Sequence, residues 1–188
     1  MIENKLISIV MNCYNGEKYL NQSIDSIINQ DYQNWELVFF DNNSNDKSAQ
    51  IFKSYKDKRF FYYKSDKTTN ISIARNKAIN LCKGYFIAFL DVDDFWDDKK
   101  LSKQIKFFDD DIDFIFTNFW LIKENKNKLL NFQKHKIVNL KFKENIIESV
   151  LENYEIVQST IIIKKKYYKT LRKFMMKNIT LLEILYYF

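Results

Sequence analysis

The sequence predicts an α/β protein, a mostly parallel sheet flanked by helices on both faces within one domain, and three observations carry that prediction. Short apolar runs rich in β-branched and aromatic residues alternate with segments whose apolar positions recur at helical spacing. Those runs are apolar on both faces, as strands buried beneath crossover helices must be. The 188 residues, 46% hydrophobic and 29% charged, suffice for one compact domain of ordinary size and exclude global disorder.

Residues 7–11 form the first strand, which ends in Asn12-Cys13-Tyr14-Asn15-Gly16. From Glu17 onward Tyr19, Leu20, Ile24, Ile27 and Ile28 fall at helical spacing. Residues 35–40 repeat the pattern, with a polar turn at 41–46 and a helix carrying Ala49, Ile51, Phe52 and Tyr55. A shorter third strand covers 59–63. A helix follows over 71–82, with Ile73, Ala74, Ala78, Ile79 and Leu81 on its apolar side and Gly84 in the place of a helix stop. Residues 85–90 read as a near-continuous apolar strand. Beyond Trp96 the pattern gives a helix over 97–108, a strand over 113–116 and irregular strands over 118–140 with a Lys/Asn-rich turn at 123–128. A helix at 146–151 and a strand at 156–163 come next, and the chain then turns basic and aromatic from Lys164.

Composition narrows the function classes. Gly16 and Gly84 are the only glycines, so no Gly-rich phosphate cradle exists, and dinucleotide oxidoreductases and P-loop NTPases are poor fits. Cys13, Cys82 and the lone His135 cannot build a zinc site of the usual spacing, and reduced thiols are expected. The net charge of +6 favours anionic partners. Part of that charge reflects a Lys-, Asn- and Ile-rich composition in which arginine is confined to Arg59, Arg75 and Arg172. The lysines are dispersed and no nucleic-acid-binding motif is present, so nucleic acid is not an expected partner. No basic leader precedes an apolar run, and no uncharged stretch reaches the roughly 18 residues that span a bilayer. The expectation is a cytoplasmic protein, at most peripheral at the inner face of the membrane.

Ligands of parallel sheets bind at the carboxyl ends of the strands, and the polar clusters fall there: residues 12–16, 41–46 and 91–94. Asp91-Val92-Asp93 directly after an apolar strand suits a hard divalent cation that leaves positions for a ligand's phosphates. An acidic turn that caps the next helix at Asp97 explains the same residues without a metal.

Five ordered segments resemble family 2 glycosyltransferases of the GT-A fold. They are residues 8–20 (SIVMNCYNGEKYL), 30–37 (QDYQNWEL), 41–46 (DNNSND), 74–79 (ARNKAI) and 89–94 (FLDVDD). The resemblance implies a glycosyltransferase domain over 6–172, with its nucleotide-sugar-binding part at 6–97. It also implies transfer of a sugar from a nucleotide diphosphate-sugar, a UDP-sugar favoured, to a glycan or lipid-linked acceptor of lipopolysaccharide or capsule type. The route that the resemblance implies is inverting and uses Mg²⁺ or Mn²⁺. By position, Asn12, Tyr14, Asn15 and Glu17 match the loop around the base and ribose, and Asp41 and Asn42 the pair that reads the base. Asn42 stands where the family more often has Asp, keeping an acceptor and gaining donors. Arg75 matches an arginine near the base or diphosphate, with Lys67 a weaker candidate. Asp91 matches the carboxylate near ribose and metal, and Asp93 the metal ligand itself.

The same resemblance calls for a general base some 20 to 30 residues beyond Gln158-Ser159-Thr160. Glu183 is the only acid after Glu155 and lies in an unlike apolar context, so no catalytic base is assigned. Shifting the reading frame at Met175-Met176-Lys177 yields an Asp-Glu pair, so residues 173–188 read as a divergent, frameshifted tail. A genuine basic, aromatic helix over 164–188, lying on an anionic membrane, is the alternative. Two functional readings therefore stand: an active transferase, and an inactive nucleotide-sugar-binding remnant.

Overall fold

The computed structural model describes residues 4–117, 119–120, 138–140 and 157–168. Strands β1 (Ile7–Cys13), β2 (Trp35–Asp41), β3 (Phe60–Lys64), β4 (Phe86–Phe89), β5 (Phe114–Phe116), β6 (Val138–Leu140) and β7 (Ile162–Lys164) form one sheet in the order β3-β2-β1-β4-β7-β5-β6. The first four run parallel, with Val10 of β1 opposite Val38 on one side and Phe89 on the other. The pairings of β7 with β4 and β5, and of β6 with β5, are antiparallel. The sheet is therefore mostly parallel and flanked by helices on both faces, as expected.

Side chains alternate along each strand, and the alternation divides the core in two. Ile7, Ile9 and Met11 of β1, Leu37 and Phe39 of β2, and Phe86 and Ala88 of β4 meet α1 (Leu20–Ile28), α2 (Ser48–Ser54) and α4 (Lys100–Ile105). Val10, Val38, Phe40, Ile87 and Phe89 point the other way onto Ala74, Ala78 and Ile79 of α3 (Ile71–Leu81). On the first face the Phe39 and Phe52 rings stack with centroids 4.3 Å apart, a contact worth about 0.5–1.5 kcal/mol beyond the area it buries. Asn70 caps α3 by accepting the Ser72 amide at 2.8 Å.

Gly84 is not the stop of α3, which already ends at Leu81 with Cys82 extended. A β-carbon at Gly84 would lie 2.5 Å from the backbone nitrogen of Ser8 and 2.8 Å from the carbonyl of Leu6. Close approach to β1 is what demands glycine. The Gly84 amide donates to Ser8 Oγ at 2.7 Å, and that hydroxyl donates in turn to the buried Glu36 carboxylate.

The helix expected over 97–108 is confined to Lys100–Ile105. Asp97 Oδ1 accepts from the Lys99 amide at 3.1 Å and from Lys103 Nζ at 3.0 Å, which holds the chain before Lys100 in a turn. Of the strand expected over 156–163, Gln158–Thr160 is instead a turn of 3₁₀ helix, and extended pairing begins only at Ile162. The cause is lateral. Trp96 Nε1 takes the Ser159 carbonyl at 2.7 Å and Gln104 Nε2 the Thr160 carbonyl at 2.9 Å, and neither remains for a ladder. The helix expected at 146–151, the turn at 123–128 and the tail at 173–188 lie outside the described residues, as do His135 and Glu183.

Among the described residues two lysines are buried. Lys164 of β7 pairs with Asp113 at 2.9 Å and also donates to the Asp109 carbonyl at 2.9 Å. Lys100 lies over the Trp96 ring, 4.2 Å from its centroid, and donates to Gln104 Oε1. Burial pushes Lys100 down from 10.5 to about 7.

Two predictions follow from this packing. Gly84→Ala should destabilise the fold by about 1–3 kcal/mol or more, because backbone and not a flexible side chain must yield, and urea denaturation measures it. Between pH 7 and 10 the unfolded chain holds the Lys100 proton that the folded chain has released, so stability from this group rises with pH. Relative to Lys100→Met, the unaltered protein should gain up to about 1.4 kcal/mol per pH unit over that window, read from paired urea melts.

Candidate active site

The loops after β1, β2 and β4 converge at the carboxyl edge of the sheet, and the first two are bound to each other residue by residue. The Asn15 amide donates to Ser44 Oγ at 3.1 Å and the Gly16 amide to Ser48 Oγ at 2.9 Å. The Glu17 amide donates to Asp46 at 2.9 Å, while the Glu17 carboxylate accepts the Lys47 amide at 2.8 Å. Asn15 Oδ1 accepts the Asn45 amide at 3.0 Å. Both loops turn through asparagine in the left-handed region, Asn15 at φ 54° and Asn43 at φ 69°, which asparagine tolerates better than most residues.

These bonds distinguish the residues singled out in the sequence. Asn15 and Glu17 hold loop to loop. Asp41 is fully buried, accepting the Ser44 amide at 2.7 Å on one oxygen and the Tyr62 hydroxyl at 2.6 Å on the other. Asn42 is engaged on both sides with Thr69: Nδ2 donates to the Thr69 carbonyl at 2.7 Å, and Oδ1 accepts the Thr69 amide at 3.0 Å and its hydroxyl at 2.9 Å. This clamp ties the loop between β3 and α3 to the end of β2. Lys67, in that loop, is exposed.

Asn12 and Tyr14 contrast with those residues. Asn12 is 7% exposed, yet neither its Nδ2 nor its Oδ1 has a hydrogen-bond partner. A buried amide left so costs free energy until something supplies both a donor and an acceptor. Tyr14, next but one along the loop, is 54% exposed.

The loop after β4 carries three carboxylates in different circumstances. Asp91 faces Arg75 of α3, with Oδ1 3.5 Å from Nη2. Burial pushes the Asp91 carboxyl above the usual range; Arg75 pulls it back, and Asp94 and Asp93 push it further up. Asp94 is also raised, by burial first and by Asp93, against the lowering effect of the Ser159 hydroxyl bonded to it. Asp93 is exposed. Ser23 of α1 grips the loop through its hydroxyl, 2.7 Å from the Val92 carbonyl and 2.6 Å from that of Asp94. A β-carbon at Gly16 would lie 2.9 Å from Val92 Cγ2, so the loops after β1 and β4 are also in direct contact.

Ser23, Tyr62 and Thr69 shape this edge and had no signal in the sequence pattern, hydroxyl side chains being common everywhere; the sequence marks Ser159 only as part of the Gln158-Ser159-Thr160 segment, with no role at this edge. Cys13 and Cys82 are free, buried thiols, pushed up by burial, Cys82 to about 12. Neither ionises near neutral pH.

Fold and edge together define a class: an α/β protein in which polar loops meet at the carboxyl ends of adjacent parallel strands, with one carboxylate, Asp91, facing an arginine. The chain belongs to glycosyl transferase family 2, whose model matches residues 8–172. It is 37% identical over 177 residues to an uncharacterized glycosyltransferase of Methanocaldococcus jannaschii, covering 91% of this chain and 60% of that one. It is 35% identical over 125 residues to the Escherichia coli UDP-Glc:alpha-D-GlcNAc-diphosphoundecaprenol beta-1,3-glucosyltransferase WfgD, covering 66% and 49%. The chain thus spans about half the length of the curated relatives it matches. Among solved structures, Staphylococcus aureus TarS in complex with UDP-GlcNAc superposes with a TM-score of 0.65 at 21% identity, covering 88% of this chain and 47% of that one. The Pyrobaculum calidifontis mannosyltransferase PcManGT, in complex with GDP-Man and Mn²⁺, gives 0.67 at 15% identity, covering 89% and 47%. The fold is that of the GT-A glycosyltransferases.

Asn42→Ala should cost about 1–3 kcal/mol, because the Thr69 amide and carbonyl lose their partners. Hydrogen exchange should quicken across residues 65–70, which a peptide-resolved exchange experiment would show.

Proposed function

We propose that this chain transfers a sugar from a nucleotide diphosphate-sugar to an acceptor hydroxyl during surface-glycan synthesis of the lipopolysaccharide or capsule type, by an inverting, metal-dependent route. The observation that carries the reading is the set of polar side chains gathered at the carboxyl edge. There an unpartnered buried amide, Asn12 near the end of β1, and an exposed ring, Tyr14, stand with Arg75 of α3, which faces Asp91, and with the exposed carboxylate of Asp93, where the loops after β1, β2 and β4 are joined to one another. The names of the E. coli relative and of the two solved complexes support a nucleotide-sugar donor, UDP-linked in two of the three.

The residues divide the work by chemistry. Asn12 offers one donor and one acceptor, the complement of a nucleobase edge, and Tyr14 a face for the base to stack on. Asp41 and Asn42 shape the floor of that subsite, and Asn15 and Glu17 fix its rim. Arg75 and the acidic loop face the diphosphate. The acceptor oxygen attacks the anomeric carbon as the bond to the diphosphate breaks, and Arg75 stabilises the charge gathering on the leaving group.

The donor set suits Mg²⁺ or Mn²⁺. Three mutually repelling carboxylates within four residues favour a cation beside them. Among the described residues no cluster of three or more acidic, His or Cys side chains forms a metal cage, which fits an ion that takes most of its ligands from phosphates and water. Asp93, with Asp91 behind it, would hold the ion, which when bound supplies positive charge to the diphosphate. The domain proposed is 6–172, with 6–97 as the donor-binding part. Peripheral attachment at the cytoplasmic face of the membrane suits a lipid-linked acceptor, and among the described residues no helix is long and apolar enough to cross a membrane.

A second reading, nucleotide-sugar binding without turnover, draws on the run from 156 to 182, which contains no acid. Calorimetry with UDP, GDP, CDP and dTDP, with and without Mn²⁺, tests the donor site. One nucleotide should bind in a Mn²⁺-dependent way, and Asp93→Asn should weaken it by roughly tenfold or more, about 1.4 kcal/mol. Binding with no transfer or hydrolysis of the matching nucleotide-sugar favours the second reading, and no binding of any nucleotide overturns both.

A further inference from the structure

We infer that Ser159 is a positioning residue for the acidic loop: its one hydroxyl occupies the Asp94 carboxylate and anchors the backbone at Asp91, leaving Asp93 as the carboxylate presented to a cation. The inference rests on the donor-site reading above and assigns it a residue from far along the chain. Ser159 is buried in the 3₁₀ turn that leads into β7. Its Oγ accepts the Asp91 amide at 3.0 Å and donates to Asp94 Oδ2. The loop's own turn closes between them, the Asp94 amide donating to the Asp91 carbonyl at 3.1 Å. One hydroxyl therefore spans both ends of residues 91–94.

The consequence is a sorting of three carboxylates. Asp91 is directed at Arg75, Asp94 is held by Ser159, and Asp93 is exposed. Without the hydroxyl, Asp94 is free to turn, compete for Arg75 or chelate a cation in another geometry, and the Asp91 amide loses its acceptor. The turn itself does not depend on the hydroxyl. Trp96 and Gln104 bind the carbonyls of Ser159 and Thr160, and the Thr160 amide donates to the Val157 carbonyl at 3.0 Å. Removing the side-chain oxygen thus separates positioning of the loop from folding of the turn.

Ser159→Ala and Ser159→Thr are compared with the unaltered protein by titrating Mn²⁺ into each, with and without saturating UDP or GDP, while electron paramagnetic resonance reads free Mn²⁺. Partners that orient metal ligands typically affect metal affinity by roughly 10–100-fold. The alanine variant should need about tenfold more Mn²⁺ for half-saturation while still folding cooperatively, and threonine should restore the original value to within about twofold. Should the alanine variant fail to fold, Ser159→Cys, of similar volume and poor hydrogen-bonding power, carries the same expectation. Half-saturation within twofold of the unaltered protein in the alanine or cysteine variant overturns the role of Ser159 and leaves the donor site standing. An unaltered protein that binds nucleotide with no Mn²⁺ dependence overturns the metal-directed role at its root.

Discussion

Everything in this fold is arranged around how closely other segments approach β1. It is an interior strand, with parallel partners on both sides and every residue buried. At its amino end the chain entering β4 passes so near Ser8 that a single β-carbon would collide with backbone. At its carboxyl end Gly16 lets Val92 of the acidic loop press onto the turn leaving the strand. The chain's only two glycines are used at these two places, and neither has a positive φ. Where the backbone does enter the left-handed region, asparagine serves. Proximity, not flexibility, is what glycine supplies here.

That proximity makes the edge one structure. The loops after β1 and β2 exchange backbone amides for side-chain oxygens, and the loop after β4 is gripped by Ser23 of α1 on one side and Ser159 on the other. Few of the polar groups are left over. Polar residues at this edge therefore divide into those that build it and those that the proposed reading assigns to a ligand, and Asn12 falls in the second group because the protein itself offers its amide no partner. Burial without partners is favourable only if a bound molecule supplies them.

The parallel half of the sheet, the helices over both faces and the converging loops were legible in the sequence because apolar runs and helical spacing are local signals. The roles of individual polar residues were not. Asn42 is followed by Asn43 and Ser44, and nothing in that run says that its partner is Thr69, 27 positions on. Gly84 looked like the end of a helix because it follows one, and its real neighbour, Ser8, is 76 residues earlier. The segment 156–163 has the composition of a strand, but two side chains from Trp96 and Gln104 capture its carbonyls and bend its first half into a 3₁₀ turn. Contacts across sequence, invisible to periodicity, decide such cases.

The buried Lys164–Asp113 pair has a consequence for how β7 is read into the sheet. Such a pair adds little net stability, since two charges must shed water to form it. Its effect is on alignment. Side chains alternate between faces, so a slip of one residue would move Lys164 to the face that Ile161 and Ile163 occupy and away from Asp113. The apolar residues Ile161, Ile162 and Ile163 would tolerate that slip, being nearly interchangeable. The charge pair thus acts as a ruler for an otherwise ambiguous run of isoleucines, fixing how far along the sheet the preceding turn is delivered.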